Sequence, residues 1–477
     1  MRDGERAARA HRSRSCAAHA VHSLRPVLIG GAMVRRAYQQ RSLVEVLLPD
    51  ADKLWDPSLR HIDTLLEDDE LVDRVAEALA QRHPHSRRRG RLGTPAAVVL
   101  RMLVLKHLHD WSFDECEREV RGHLVYRAFC RIDGERVPDA KTLIRLARLL
   151  DEPVLKDVLA RLVAIGRERR VINGRRLRLD TTVVETNIRY PTDATLLGDG
   201  VRVLTRVLRR AGEQVRERTR SVARRVFEIS QRSRTAGNRV SPAVREQSKA
   251  KMKVLYQDLL RMTRSVVRHA EAVVIRARGR RAAALLPGLI ERVRQVIAQT
   301  RARVLRGDTH YPSKIVSLFE PHTEIIRKGK LARPTEFGRV VKIQEAEAQF
   351  ITDYTVCERR QPERALWEPA LDRHIELFGH PPKLAVADGG FASRTNERVA
   401  AARGVRHVVL PRQHHEKRSR LARVALRWRT GSEGRISALK RRHGLRRCRY
   451  HGESGMQRWV GLGVIANDLL VLGRAGP

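Results

Sequence analysis

Between residues 40 and 90 apolar positions recur at helical spacing, as in VDRVAEALAQR, and the run ends in the breaker HPHSRRRGRLG. TPAAVVLRMLVLKHLHDW follows, with Thr94 as a candidate N-cap and Pro95 at the first helical position. SFDECEREVRGHLVYRAFCRI starts from its own cap at Ser112, and two more helical runs complete the series: PDAKTLIRLARLL and PVLKDVLARLVAIGRER. The pattern predicts an all-helical N-terminal domain over residues 33–170. Short Arg-rich helices with tight turns are compatible with a helix-turn-helix module on DNA, and also with an ordinary helical bundle carrying a solvated basic face.

At 171 the period changes. RRLRLDTTVVE alternates and is β-branched, as a strand is. From about 196 to 306 the pattern is again helical, amphipathic and Arg-rich. Strands then return in KIVSLFEP, HTEIIRKGK, RVVKIQEAE and QFITDYTVCE. A helix follows at ERALWEPALDRHIELFG, then strands at KLAVADGG and VRHVVLP, a helix around residue 433 and an apolar C-terminal helix. This predicts one α/β domain, residues 171–195 and 308–477, interrupted by a helical insertion at 196–307. A long insertion in a surface loop costs little closure entropy.

Charge changes the picture. The chain of 477 residues has a formal net charge of +42, and such self-repulsion points to a polyanionic partner, nucleic acid by default. No run of about 18 apolar residues offers a membrane span; GLGVIANDLLVLG is shorter and holds Asn467 and Asp468, so it is read as a buried helix. Five scattered cysteines without a CxxC suggest neither a zinc site nor a disulfide framework, and fit a reducing cytoplasm. Residues 1–32 lack helical period and resemble a transit peptide; the reading preferred is translated upstream DNA, disordered, with Met33 as the natural start.

The candidate chemistry lies in three acids. Asp180 ends LRLD, and Asp388 ends KLAVAD before Gly389-Gly390, where backbone or DNA can approach closely. Glu433 lies on a helix with Arg429 and Lys440, and offsets of 4 and 11 residues place all three within about 40° of one face. Each alone has a plain explanation: a turn or cap for either Asp, an i,i+4 pair with Arg429 for Glu433. Together, three carboxylates with flanking cations suit metal-dependent attack on a phosphodiester, in which Mg²⁺ takes hard oxygen ligands.

These blocks resemble bacterial insertion-sequence transposases of the DDE type with the Y-R-E-K signature, and look closest to the ISNCY-like group. Arg429, Glu433 and Lys440 fit the signature spacing, while Leu426 stands at the Tyr position. DTTVVETNIRYPTDATLLGDG, EPHTEIIRKGKLARPTEFG and ADGGFASRTN look like the first-Asp, central and second-Asp blocks, and the resemblance runs from about residue 40 to the end. It implies an RNase H-like core, a mixed five-stranded sheet with flanking helices. Asp180 would lie on the first strand, Asp388 at the end of the fourth and Glu433 on a helix after the fifth. It further implies Asp180, Asp388 and Glu433 as ligands of two Mg²⁺ ions (or Mn²⁺), and Arg429 and Lys440 on DNA phosphates. The implied activity is cleavage at element ends and strand transfer into target DNA, by a homodimer or larger assembly on DNA in the bacterial cytoplasm, at the nucleoid. Two other readings stay open: a catalytically inactive DNA-binding derivative, and a nuclease of the same fold that cuts without joining.

Lesser candidates were weighed beside these. Lys328 and Lys330 are DNA-contact candidates, with a solvated hairpin as the alternative; His322 and Glu336 share their block. Glu185 is read as structural, His414-His415 as a basic loop, and the Arg stripes of 201–306 either as phosphate-tracking or as a solvated face.

Overall fold

The computed structural model describes residues 35–36, 51–82, 93–132, 134–215, 219–235, 241–276, 283–327, 335–359, 361–411 and 419–475. The expectations for residues 1–32, Lys328, Lys330 and His414-His415 fall outside them.

Seven helices form the N-terminal part: α1 Pro57–Leu65, α2 Asp69–Ala80, α3 Ala96–Leu108, α4 Phe113–Gly122, α5 Leu124–Phe129, α6 Ala140–Ala147 and α7 Glu152–Glu168. Side-chain caps set several starts. Asp56, Asp68, Asp139 and Asp151 each accept from a backbone N–H three residues on, and Ser112 and Glu115 complete a reciprocal capping box. Thr94 does not cap α3. The helix starts one residue later than expected, after Pro95, and the N–H groups of Ala96 and Ala97 donate to the carbonyls of Arg35 and Arg36 at 2.9 and 3.0 Å.

The sheet is built around β1, Arg176–Thr186. Its other strands are β2 Glu324–Arg327, β3 Thr335–Glu345, β4 Ile351–Val356, β5 Leu384–Val386, β6 His407–Val409 and β7 Arg447–Cys448. β3 runs antiparallel to β1, and β4 antiparallel to β3. On its other edge β1 pairs in parallel with β5, which pairs in parallel with β6. The main order is therefore β4–β3–β1–β5–β6. Two short strands bring the total to seven: β2 continues beside β3, and β7 beside the far end of β1.

Between β1 and β2 lie α8 Asp193–Arg210, α9 Thr219–Thr235, α10 Pro242–Arg276 and α11 Leu286–Thr300. They close around their own apolar core, including Leu197, Leu204, Leu260, Val267, Val293 and Val296. KIVSLFEP is not a strand. Ile315 and Leu318 enter this helical core instead, and Ile315 exchanges backbone hydrogen bonds with the Gln299 amide at 3.0 Å in both directions. A side chain thus takes up backbone groups that a sheet partner would otherwise satisfy.

The remaining helices are α12 Trp367–Phe378, α13 Arg394–Ala402, α14 Arg420–Arg442 and α15 Glu453–Ala475. β1 alternates between two buried faces. Leu177 and Leu179 pack with Trp367, Leu371 and Phe391 on the α12–α13 side, while Val184 packs with Trp459 and Val460 of α15 on the other. α15 is buried along most of its length, as its apolar sequence predicts. Its Leu462, Ile465, Leu469 and Leu472 also complete the core of the N-terminal helices. Asp353 of β4 strengthens that junction, standing 2.8 Å from Lys342 and 2.5 Å from Lys156 of α7. Burial pushes its carboxyl up, but the two ammonium groups outweigh this and hold it below the usual range.

Candidate functional site

Strand register brings the first two acids together. The last parallel pair of β1 and β5 is Arg178 with Val386. Asp180 and Asp388 each stand two residues beyond that pair. Asp388 lies just past the end of β5, but Asp180 does not end its strand as the sequence suggested: β1 runs on to Thr186 because β3 keeps pairing with it, so Asp180 sits mid-strand beside the point where β5 stops. Asp388 leaves the sheet there to cap a 3₁₀ turn, Gly389–Phe391, accepting from the Gly390 N–H at 2.9 Å. Its carboxyl titrates above the usual range. Partial burial is the main cause and the Asp180 charge adds to it, against the Gly390 and Phe391 amides and Arg429.

α14 crosses this face of the sheet. Arg178 fixes it: its guanidinium donates to the Trp428 carbonyl at 2.7 Å and pairs with buried Glu345 at 2.5 Å. Gly431 permits the approach, since a Cβ there would stand 2.7 Å from Arg178 Nη1. One residue on, Ser432 is 1% exposed and its Oγ donates to Asp180 Oδ2 at 2.7 Å. The other Asp180 oxygen accepts from the Thr181 N–H at 2.8 Å. Half-buried Arg429 supplies the cation whose field reaches Asp388.

Glu433 and Lys440 lie on α14 with Arg429, as the spacing predicts. Glu433 is exposed and forms no ion pair with Arg429; Lys440 is half-buried. Among the described residues no three His, Cys, Asp or Glu side chains are grouped closely enough to hold a metal ion. The arrangement thus joins Asp180, Asp388 and Arg429, and turns Ser432, rather than Glu433, toward Asp180.

Three contributors carry little signal in the sequence. Ser432 is a helical Ser beside a more conspicuous Glu, and Arg178 is one Arg among many. Glu363 precedes α12 and accepts from the Thr181 hydroxyl; its carboxylate also occupies the place where a Gly390 Cβ would stand. Among the lesser candidates, Glu185 pairs with Arg447 of β7 at 3.3 Å, and half-buried His322 stands 3.5 Å from Glu320 with its pKa lowered by burial.

Two carboxylates, one within β1 and one just past β5, with a guanidinium beside them form a polar site on a mixed α/β fold. Residues 45–149, which span most of the N-terminal helices, match a family model described as Transposase domain (DUF772). No curated protein and no solved structure matches the chain. No helix among the described residues is long and apolar enough to cross a membrane.

Proposed function

We propose that the chain is a DDE transposase that binds the terminal inverted repeats of its insertion sequence, cuts at the element ends and transfers the 3′-OH to target DNA. The observation that carries this reading is the matched placement of Asp180 and Asp388 two residues past a parallel strand pair, in a chain with a transposase domain. We read the order β4–β3–β1–β5–β6, three antiparallel strands followed by two parallel ones, as RNase H-like, with β2 and β7 as additions.

The residues suit Mg²⁺. Hard carboxylate oxygens are its preferred protein ligands, and the Asp180 charge that adds to the burial of Asp388 is one a divalent cation would neutralise. Asp180 and Asp388 would hold the metal, with Glu433 as third carboxylate from α14. Bound ions would activate the attacking oxygen and stabilise the leaving one. The protein's own part is positional. Ser432 and the Thr181 N–H orient Asp180, the 3₁₀ turn orients Asp388, and Arg429 and Lys440 neutralise DNA phosphates. The N-terminal helices, where the transposase domain matches, would bind the element ends, and two copies would hold the two ends. A second reading, a DNA-binding derivative without cleavage, is favoured by one observation: Ser432, not Glu433, faces Asp180.

One assay separates the two readings. Asp180→Asn, Asp388→Asn and Glu433→Gln should each abolish Mg²⁺-dependent cleavage of a duplex carrying the element end, with end binding retained by mobility shift. Full cleavage by any of the three would remove that residue from the site. A wild-type chain that binds the end but never cuts would favour the second reading.

A further inference from the structure

The insertion between β1 and β2 carries 28 Lys or Arg against 9 Asp or Glu over residues 193–307. Much of that charge is matched. Arg224 pairs with Glu228 at 3.2 Å, Arg261 with Asp258 at 2.6 Å, and Arg294 with Glu271 at 2.7 Å. α8 presents its arginines along one side. Val201, Val203, Leu204, Val207 and Leu208 are buried, while Arg202, Arg206, Arg209 and Arg210 stand on the exposed side.

These four arginines, with Thr205 and Thr219, line an open cleft of about 510 Å³ where the end of α8 meets the start of α9. Among the described residues no acidic side chain lines it. Arg202 is paired with Asp199 at 2.6 Å, outside that lining. Thr219, the first described residue of α9, lines the same cleft. Gathering guanidinium groups on so short a stretch costs repulsion, which falls sharply once a polyanion is bound. Arg202 to Arg210 spans about 12 Å of helix axis, the rise of three to four nucleotides along one DNA strand.

We propose that this cleft is a DNA-backbone site additional to the Asp180–Asp388 site, with Arg206 and Arg210 on phosphates of one strand. The planar fork of Arg suits phosphate oxygens and reads no sequence, so the site adds affinity and register rather than specificity. The inference rests on DNA being the partner, but not on cleavage.

The test measures binding of the full chain to a mixed-sequence duplex by fluorescence anisotropy over a salt series. Arg206→Ala/Arg210→Ala should lower the slope of log K against log salt by about 1.8, since each phosphate contact contributes about 0.9. Arg224→Ala/Arg261→Ala makes the same charge change at arginines already paired with acids, and should leave the slope near wild type. Thermal unfolding of both variants confirms that the fold is kept. An unchanged slope in the first variant, or an equal fall in both, overturns the proposal. A wild-type chain that fails to bind duplex overturns it together with the DNA reading. Retained cleavage in Asp180→Asn would sink the catalytic assignment alone and leave these slopes untouched.

Discussion

Asp388 has a consequence that can be measured without DNA. Its pKa is raised in the fold, by burial first and by Asp180 second. The folded chain therefore holds this proton to higher pH than the unfolded chain does. The stabilisation of the neutral form is fully present below the unfolded pKa and is lost as pH rises through the folded one. At neutral pH the ionised group opposes folding, so Asp388→Asn should raise Tm in metal-free buffer, while its amide oxygen can still accept from Gly390. The gain should vanish on acidification, when the wild-type carboxyl is also neutral. A lower Tm at neutral pH would show that the carboxylate is stabilising there. At this scale the sequence pointed to both Asp residues, because each follows a short alternating or apolar run. Ser432 and Glu363 were not legible, since neither has a distinguishing spacing and each meets its partner from a remote element.

At the scale of the element, α14 depends on one close approach. Replacing a helical Gly by Ala favours the helix by up to about 1 kcal/mol. At Gly434 nothing lies within 4 Å of the new Cβ, so Gly434→Ala should stabilise. At Gly431 the new Cβ meets an Arg178 side chain already held by Glu345 and the Trp428 carbonyl. Gly431→Ala should therefore destabilise, by about 1–3 kcal/mol in the manner of an overpacked core. Chemical denaturation of the two variants side by side checks the opposite signs, and a stabilising Gly431→Ala would show that α14 is free to move away from β1. Most elements were legible as period and cap. KIVSLFEP was misread because its apolar residues serve a helical core, and an apolar run does not state which surface it meets.

For the whole molecule, the insertion has an apolar core of its own, to which Ile315 and Leu318 belong. Replacing residues 193–318 by a flexible linker should therefore leave one cooperative unfolding transition for the rest of the chain, since closing a loop of different length changes its entropy only slightly. A collapse to a non-cooperative melt would mean that the sheet relies on the insertion. α15 is the contrary case. It packs on the sheet through Trp459 and Val460, and completes the N-terminal core through Ile465 and Leu469. The two ends of the sequence thus share one interior, an arrangement that no local pattern announces.

The sequence by itself determined what short-range physics can encode: helices from a 3.6-residue period and their caps, strands from alternation, a strongly basic chain, and Asp388 just past a strand, whereas Asp180, read as a strand end, lies inside β1. Register belongs to the tertiary structure, because the pairing of β1 with β5 joins residues some 208 positions apart in sequence. The rotation of α14 belongs to it as well. Spacing placed Arg429, Glu433 and Lys440 along one face, but only packing against Arg178 decides that Ser432 reaches Asp180 while Glu433 stays exposed. Helical period fixes which residues share a face, whereas the direction of that face depends on the steric and polar contacts of the elements it meets.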